Sequence, residues 1–214
     1  MYEQSFHQIS DIEKMQKLVH DNPFATLICP NNAQTTVDHI PFYLDSTVGE
    51  CGCLYAHIAA KNPLLENLAN SPSCIIVFQA SNSYISPSWY PSKHEHGKAV
   101  PTWNYAVVHA RGDAIMHRDP EWILRHLNLL TERHESQQSL PWKISDAPND
   151  YIDTLLSLIV GIEIPIMNIQ GKWKLNQNKS EADRIGVVAG LLSKSETDAQ
   201  RIASLVRETL STAT

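Results

Sequence analysis

No apolar run in the chain approaches the ~18 residues that cross a bilayer, so no transmembrane helix is expected. The opening MYEQSFHQIS has no basic segment followed by an apolar one, so no secretion signal is expected and the chain reads as cytoplasmic. Positive charge is scarce: 17 Lys and Arg against 23 Asp and Glu leave a net charge of −6, a poor match to duplex phosphates. The tail carries Asp183, Glu196, Asp198 and Glu208 against few Arg and Lys, with no basic recognition helix, so direct nucleic-acid binding is not expected. The four cysteines, Cys29, Cys51, Cys53 and Cys74, form no Cys-x-x-Cys pair and read as small buried residues kept reduced. On a strand, Cys51 and Cys53 would face the same side. Among ten histidines, His94 and His96 bracket Glu95 without a third ligand, and His57, His109 and His117 fall in separate segments, so no metal site is expected. There is no GxGxxG after a strand, no Walker A loop and no GxSxG, and no cysteine in an activating setting. No catalytic residue is assigned.

What is present alternates short strands with inserted helices. SDIEKMQKLVHDNP reads as a helix with a Ser10–Glu13 capping box, closed by Pro23. Strands are expected over 24–29, 36–44, 53–58 and 73–79, with a helix between the last two capped by Asn62 and opened by Pro63. A strand over 102–112 precedes a helix capped by Asp119, with Pro120 at its first position and Trp122, Ile123, Leu127 and Leu130 on its buried side. NDYIDTLLSLIVG reads as a helix, 162–171 as a strand, and the tail as two helices opened by Ser180–Asp183 and Ser195–Asp198 capping boxes. This order suits an antiparallel sheet closed into a barrel with flanking helices. The main domain is expected over 1–180, with 181–214 a helical extension packed on the barrel or on a dimer partner.

Three polar clusters could carry function. Lys61 stands at a strand end just before a helix, where first-turn amides and the helix dipole favour an anion, although Pro63 removes one donor. A solvated lysine beside an ordinary cap is the other reading. In GKWKLNQNK, Lys172 and Lys174 alternate around Trp173, and Gln177 and Asn178 offer amides suited to a heterocycle edge, or form an ordinary turn. The third is YISPSWYPSKHEHGKAVPTWNY, residues 84–105, which holds five of the sixteen aromatics and three of the twelve prolines. Within it Trp103 and Tyr105 share one strand face and Asn104 takes the other, a stacking surface for a flat ligand or an aromatic interface patch.

DHIPFYL, AHIAAKNP, the block Tyr84 to Gly112, LTERHE and GKWKLNQNK together resemble the PaiB family, described as FMN-binding negative transcriptional regulators with the FMN-binding split-barrel fold. The resemblance runs from the first residue to about residue 190. It implies a homodimer of six-stranded antiparallel Greek-key barrels, followed by C-terminal helices, with FMN held at the subunit interface. It implies that the phosphate meets Lys61 and groups near His57, that His39 and Ile40 line the flavin, and that Trp103, Asn104, Tyr105, Lys174, Gln177 and Asn178 complete the site. Two departures stand out: Ala80-Ser81 replaces Gly-Pro, and Asn176 replaces the serine of KLSQN. A flavin reductase or small NAD(P)H-dependent oxidoreductase on the same pocket is the rival reading, since one fold hosts many chemistries. A dimeric scaffold that has lost its cofactor is the third.

Overall fold

The computed structural model describes residues 1–2, 4–30 and 35–211. In chain order the elements are β1 (Gln8–Ile9), α1 (Ile12–Asp21), β2 (Phe24–Cys29), β3 (Thr36–Pro41), β4 (Tyr43–Asp45), β5 (Cys53–Ala59), α2 (Leu64–Asn70), β6 (Ser73–Ile85), α3 (Ser92–His96), β7 (Thr102–Asp113), β8 (Ile115–His117), α4 (Pro120–Glu135), α5 (Asn149–Leu156), β9 (Ile159–Pro165), β10 (Asn168–Lys174), α6 (Glu181–Leu192) and α7 (Thr197–Ser211). Six strands form a sheet in the order β1-β10-β7-β6-β2-β3, and a second sheet runs β4-β5-β9-β8. The mainly β architecture with flanking helices is the expected one; the four-stranded second sheet is an addition to it. The chain divides into two compact units, Met1–Met15 with Gln79–Val108 and Gln170–Thr214, and Gln16–Phe78 with His109–Ile169.

In the second of these units, β2 alternates cleanly, burying Ala25, Leu27 and Cys29, and pairs antiparallel with β3 from Phe24↔Pro41 to Cys29↔Thr36. The single strand expected over 36–44 is broken at Phe42. Its amide donates to the Pro23 carbonyl at 2.9 Å and its ring is buried edge-on to Phe78. The chain thereby leaves β2 and re-pairs, Tyr43 opposite Tyr55 on β5. The strand expected over 162–171 also divides. β9 starts earlier, at Ile159, and ends at Pro165, which has no N–H to extend a ladder. The next two amides donate to Gly52 and Arg111 carbonyls before β10 begins. Cys51 lies in the turn before β5 rather than on a strand, so the shared face expected for Cys51 and Cys53 does not form. α4 begins as anticipated: the Asp119 carboxylate accepts from the amides of Glu121 and Trp122. A bare Gly161 on β9 lets Trp122 come close, since a Cβ there would lie 2.2 Å from the indole. The α1 cap is one residue later than expected: Asp11 Oδ1, not Ser10, accepts from the Lys14 amide at 3.1 Å.

In the other unit β1 pairs antiparallel with β10, Gln8 opposite Lys172. The Ser180 hydroxyl accepts from the Asp183 amide and opens α6. α6 and α7 bury Val187, Leu191, Ile202 and Val206. Arg184 of α6 donates from Nη1 to the Thr209 carbonyl of α7 at 2.7 Å. The aromatic segment after β6 docks here. Trp89 lies over Gly186 and Gly190, one turn apart on α6, where a Cβ at Gly190 would meet the indole at 2.2 Å. Lys194 Nζ sits 5.6 Å from the Trp89 ring, and the Asp183 carboxylate accepts from both the amide and hydroxyl of Ser92. Gly190→Ala is therefore expected to push Trp89 off the helix and cost about 1–3 kcal/mol of stability, which urea unfolding would measure.

Candidate functional site

The second unit carries four of the residues singled out in the sequence. His39 and Ile40 lie on β3 opposite Thr26 and Ala25, with His39 exposed and stacked on Phe24 at 6.4 Å. Lys61 follows β5 and is exposed; no hydrogen bond or ion pair of its side chain is found among the described residues. The amides thought to assist it are already used. Asn62 Oδ1 accepts from the Leu64 N–H at 2.9 Å, the Asn62 carbonyl from Leu65, and the Pro63 carbonyl from Glu66. With α2 only 7 residues long, an anion here would meet the Lys61 ammonium rather than a helix end. Asn62 Nδ2 also donates to Asp38 Oδ2 at 3.3 Å, tying this corner to β3 beside His39.

His57, on β5, faces a partner that sequence reasoning missed. Its Nδ1 is 3.1 Å from Nε2 of His126, one turn beyond Trp122 on α4, and His126 is 3% exposed. His126 Nδ1 is buried with no hydrogen-bond partner. Burial, reinforced by the charge of a protonated His57, pushes the His126 imidazole down to about 4. Burial lowers His57 as well. Both rings are consequently neutral at neutral pH and share one N–H between them, so His57 offers a hydrogen bond and no positive charge. The array continues: Trp122 stacks on His117 at 4.0 Å with a 7° interplanar angle, and His117 Nε2 is 2.7 Å from Glu163 Oε2. The only sequence signal for His126 was its place on the apolar stripe of α4, three residues after Ile123.

The other unit brings together the remaining six. β7 alternates as expected: Trp103 is 53% exposed, Asn104 fully buried and Tyr105 half-buried. Trp103 meets Tyr84 edge-on at 6.0 Å, and both line an open cavity of about 770 Å³ together with Ser83, Lys194 and Asp198. On β10, Trp173 is buried while Lys172 and Lys174 take the opposite side. Lys172 Nζ lies 5.8 Å from the Tyr105 ring, and Lys174 Nζ donates to Thr102 Oγ1 at 2.7 Å.

Asn104 is not open to a ligand in this chain. Its Nδ2 donates to Asn176 Oδ1 at 2.5 Å, and Asn176 Nδ2 donates to the Tyr90 hydroxyl at 2.9 Å, forming a buried polar relay. Asn176 has φ of 62°, the one positive-φ non-glycine among the described residues. Asparagine tolerates that conformation better than most residues, and the relay fixes it. The resulting turn sets Gln177 and Asn178. Gln177 is consumed locally: Oε1 accepts from the Leu175 amide at 2.8 Å and lies 2.9 Å from His7 Nδ1, while Nε2 donates to the Trp173 carbonyl at 2.6 Å. Asn178 is exposed. Asn176→Ala would strand the Asn104 amide and strain the turn, at an expected cost of about 2–4 kcal/mol by denaturant unfolding.

Chemically, this unit pairs an exposed indole at a cavity of ligand size with cations on the adjoining strand and, at Lys194, in the turn after α6. A planar ring and an anionic tail are what such a surface suits. The model of the family described as "Putative FMN-binding domain" matches residues 1–168. An uncharacterized protein of Emericella nidulans is 31% identical, the match spanning 97% of each chain. The protease synthase and sporulation protein PAI 2 of Bacillus subtilis is 27% identical over 98% of both chains. The solved FAD and heme binding protein of Mycobacterium smegmatis shares the fold, with a TM-score of 0.60 at 17% identity over 86% of this chain and 80% of that one. The chain belongs to the FMN-binding domain family, the one its resemblance to PaiB pointed to, and FMN is the cofactor that membership assigns.

Proposed function

We propose that the chain works as a homodimer that holds FMN at the subunit interface and serves as a flavin-carrying regulator of the PaiB type, acting in the cytoplasm without gripping DNA itself. The observation that carries the FMN part is the exposed Trp103 ring on the cavity wall, with Lys172 and Lys174 on the neighbouring strand. Trp103 and Tyr105 would supply apolar area for the tricycle, and Lys174 a charge for an oxygen of the cofactor. Asn178 would offer an amide at its edge, and Asn104 and Gln177 would act through the turn that they hold. Lys61 would meet the phosphate, with His57 donating one hydrogen bond and His39 and Ile40 forming a wall. FMN, when bound, supplies one- and two-electron redox chemistry. The chain's side chains orient it and exclude water.

The regulator reading is supported by the likeness to PAI 2 and by the engagement of the charged side chains that line the Trp103 cavity, Lys194, Glu196 and Asp198. Asp198 accepts from Ser81 at 2.9 Å, and Glu196 is near Lys194 at 3.9 Å. Anaerobic stopped-flow mixing of the FMN-loaded protein with NADH or NADPH separates this reading from the reductase one. The flavin absorbance is expected to persist; rapid bleaching by either nucleotide would replace the regulator with an oxidoreductase. The division into a 1–180 barrel and a 181–214 extension is proposed on the same basis, and truncation after residue 180 with measurement of FMN retention tests it.

A further inference from the structure

Cys29 and Cys74 have no role in the flavin reading. β2 and β6 pair antiparallel with Thr26↔Val77, Leu27↔Ile76 and Ile28↔Ile75, so the next step of that register sets Cys29 opposite Cys74. Their Sγ atoms are 3.3 Å apart and each residue is 1% exposed. That separation exceeds a disulfide bond by about 1.3 Å, a gap that modest χ1 rotations close while the strands stay paired. Both thiols are free. Cys29 ends β2 and Cys74 is the second residue of β6, and strand ends are where local opening admits small solutes.

We propose that Cys29 and Cys74 form a reversible cross-strand dithiol–disulfide couple oxidised by hydroperoxides. The Cys29 thiolate attacks a peroxide oxygen; the S–O bond forms, the O–O bond breaks, and the departing hydroxide takes a proton to leave as water. Cys74 Sγ then attacks the sulfenyl sulfur of Cys29. The S–S bond forms, the S–O bond breaks, and the hydroxyl leaves with the Cys74 proton as a second water. Hydrogen peroxide gains two electrons and two thiols lose them. The order follows from the pair itself. The hydrogen bond from Cys74 lowers the Cys29 thiol, against burial and the nearby Asp38 carboxylate, while the same bond and burial hold Cys74 protonated. The Cys74 proton has the Pro72 carbonyl as a second acceptor, at 3.2 Å.

The bond would close a loop 45 residues apart in sequence that contains β3, β4, β5 and α2, and with them His39, His57 and Lys61. Oxidation therefore staples the segment carrying the proposed phosphate corner, whether or not FMN is bound there.

The test uses the full chain, reduced, freed of reductant and treated with hydrogen peroxide, followed by intact-mass measurement and a non-reducing peptide map. The intact mass is expected to fall by two hydrogens, with one linked pair of peptides containing Cys29 and Cys74, reversed by dithiothreitol. The melting midpoint should rise by roughly 5–10 °C. Cys51→Ser should leave the result unchanged; Cys74→Ser should lose it and gain one oxygen on Cys29 instead. A peroxide-treated wild-type map without the Cys29–Cys74 peptide, or with linkage through Cys51 or Cys53, would overturn the proposal. That map decides even if Cys74→Ser does not fold.

Discussion

Replacing Lys61 and Lys174 together by alanine is expected to strip FMN from the purified protein. Each ammonium would make a charge-assisted hydrogen bond to an anionic or carbonyl oxygen of the cofactor, worth about 1.5–3 kcal/mol. Loss of both should weaken binding by roughly 10²–10⁴-fold, read as the quenching of FMN fluorescence on titration with the variant. The two changes should differ in kind. Lys61 is exposed and unpaired among the described residues, so Lys61→Ala should leave the melting midpoint unmoved. Lys174 donates to Thr102 across the β7–β10 pair, so its removal leaves that hydroxyl without its partner and should cost about 1 kcal/mol of stability as well. Unchanged FMN affinity in the double variant would refute the placement of the phosphate and ring contacts.

Acidification is the second large effect. An imidazole titrating at about 4 in the fold and near 6.5 when unfolded binds its proton more readily in the unfolded chain. Stability is thus full above about pH 6.5 and is lost as pH falls toward 4. The total change is on the order of 3 kcal/mol, a sizeable share of the 5–15 kcal/mol typical of a folded chain. His57, lowered by burial, adds in the same direction. The test is the difference in unfolding free energy between the wild type and His126→Leu, measured from pH 7 to pH 4. That variant should flatten the loss between pH 6.5 and 4.5. Asp21 and Asp183, both held below the usual carboxylate range, lose their contribution only as pH drops further. An identical pH slope in the variant would show that the buried pair does not control acid stability.

Local chemistry made much of this legible in the sequence. Asp119-Pro120 announced α4 because a carboxylate cap and a fixed φ act within four residues. The alternation at Trp103, Asn104 and Tyr105 announced which side chains face out, because a strand has a period of two. Ser180 opened α6 for the same short-range reason. What escaped depended on distant partners. Phe42 breaks a strand that looks continuous because its amide finds the Pro23 carbonyl and its ring finds Phe78. His126 stood on an apolar stripe, and nothing near it marks the contact with His57, 69 residues away.

The first-turn amides of α2 looked available, yet Asn62 and Pro63 accept from them. Asn176, noted only as a departure from KLSQN, proves to be the left-handed residue on which the turn of Gln177 and Asn178 depends. The aromatic segment divides between two duties. Trp89 and Tyr90 hold α6 and the turn after β10, while Tyr84 and Trp103 line the cavity.

The visible spectrum of the protein as purified from cells, with chromatography of the pigment released by heat, tests the central claim most directly. The account predicts a yellow protein that releases FMN in one-to-one ratio with the chain. A colourless preparation that also fails to quench the fluorescence of added FMN would contradict it.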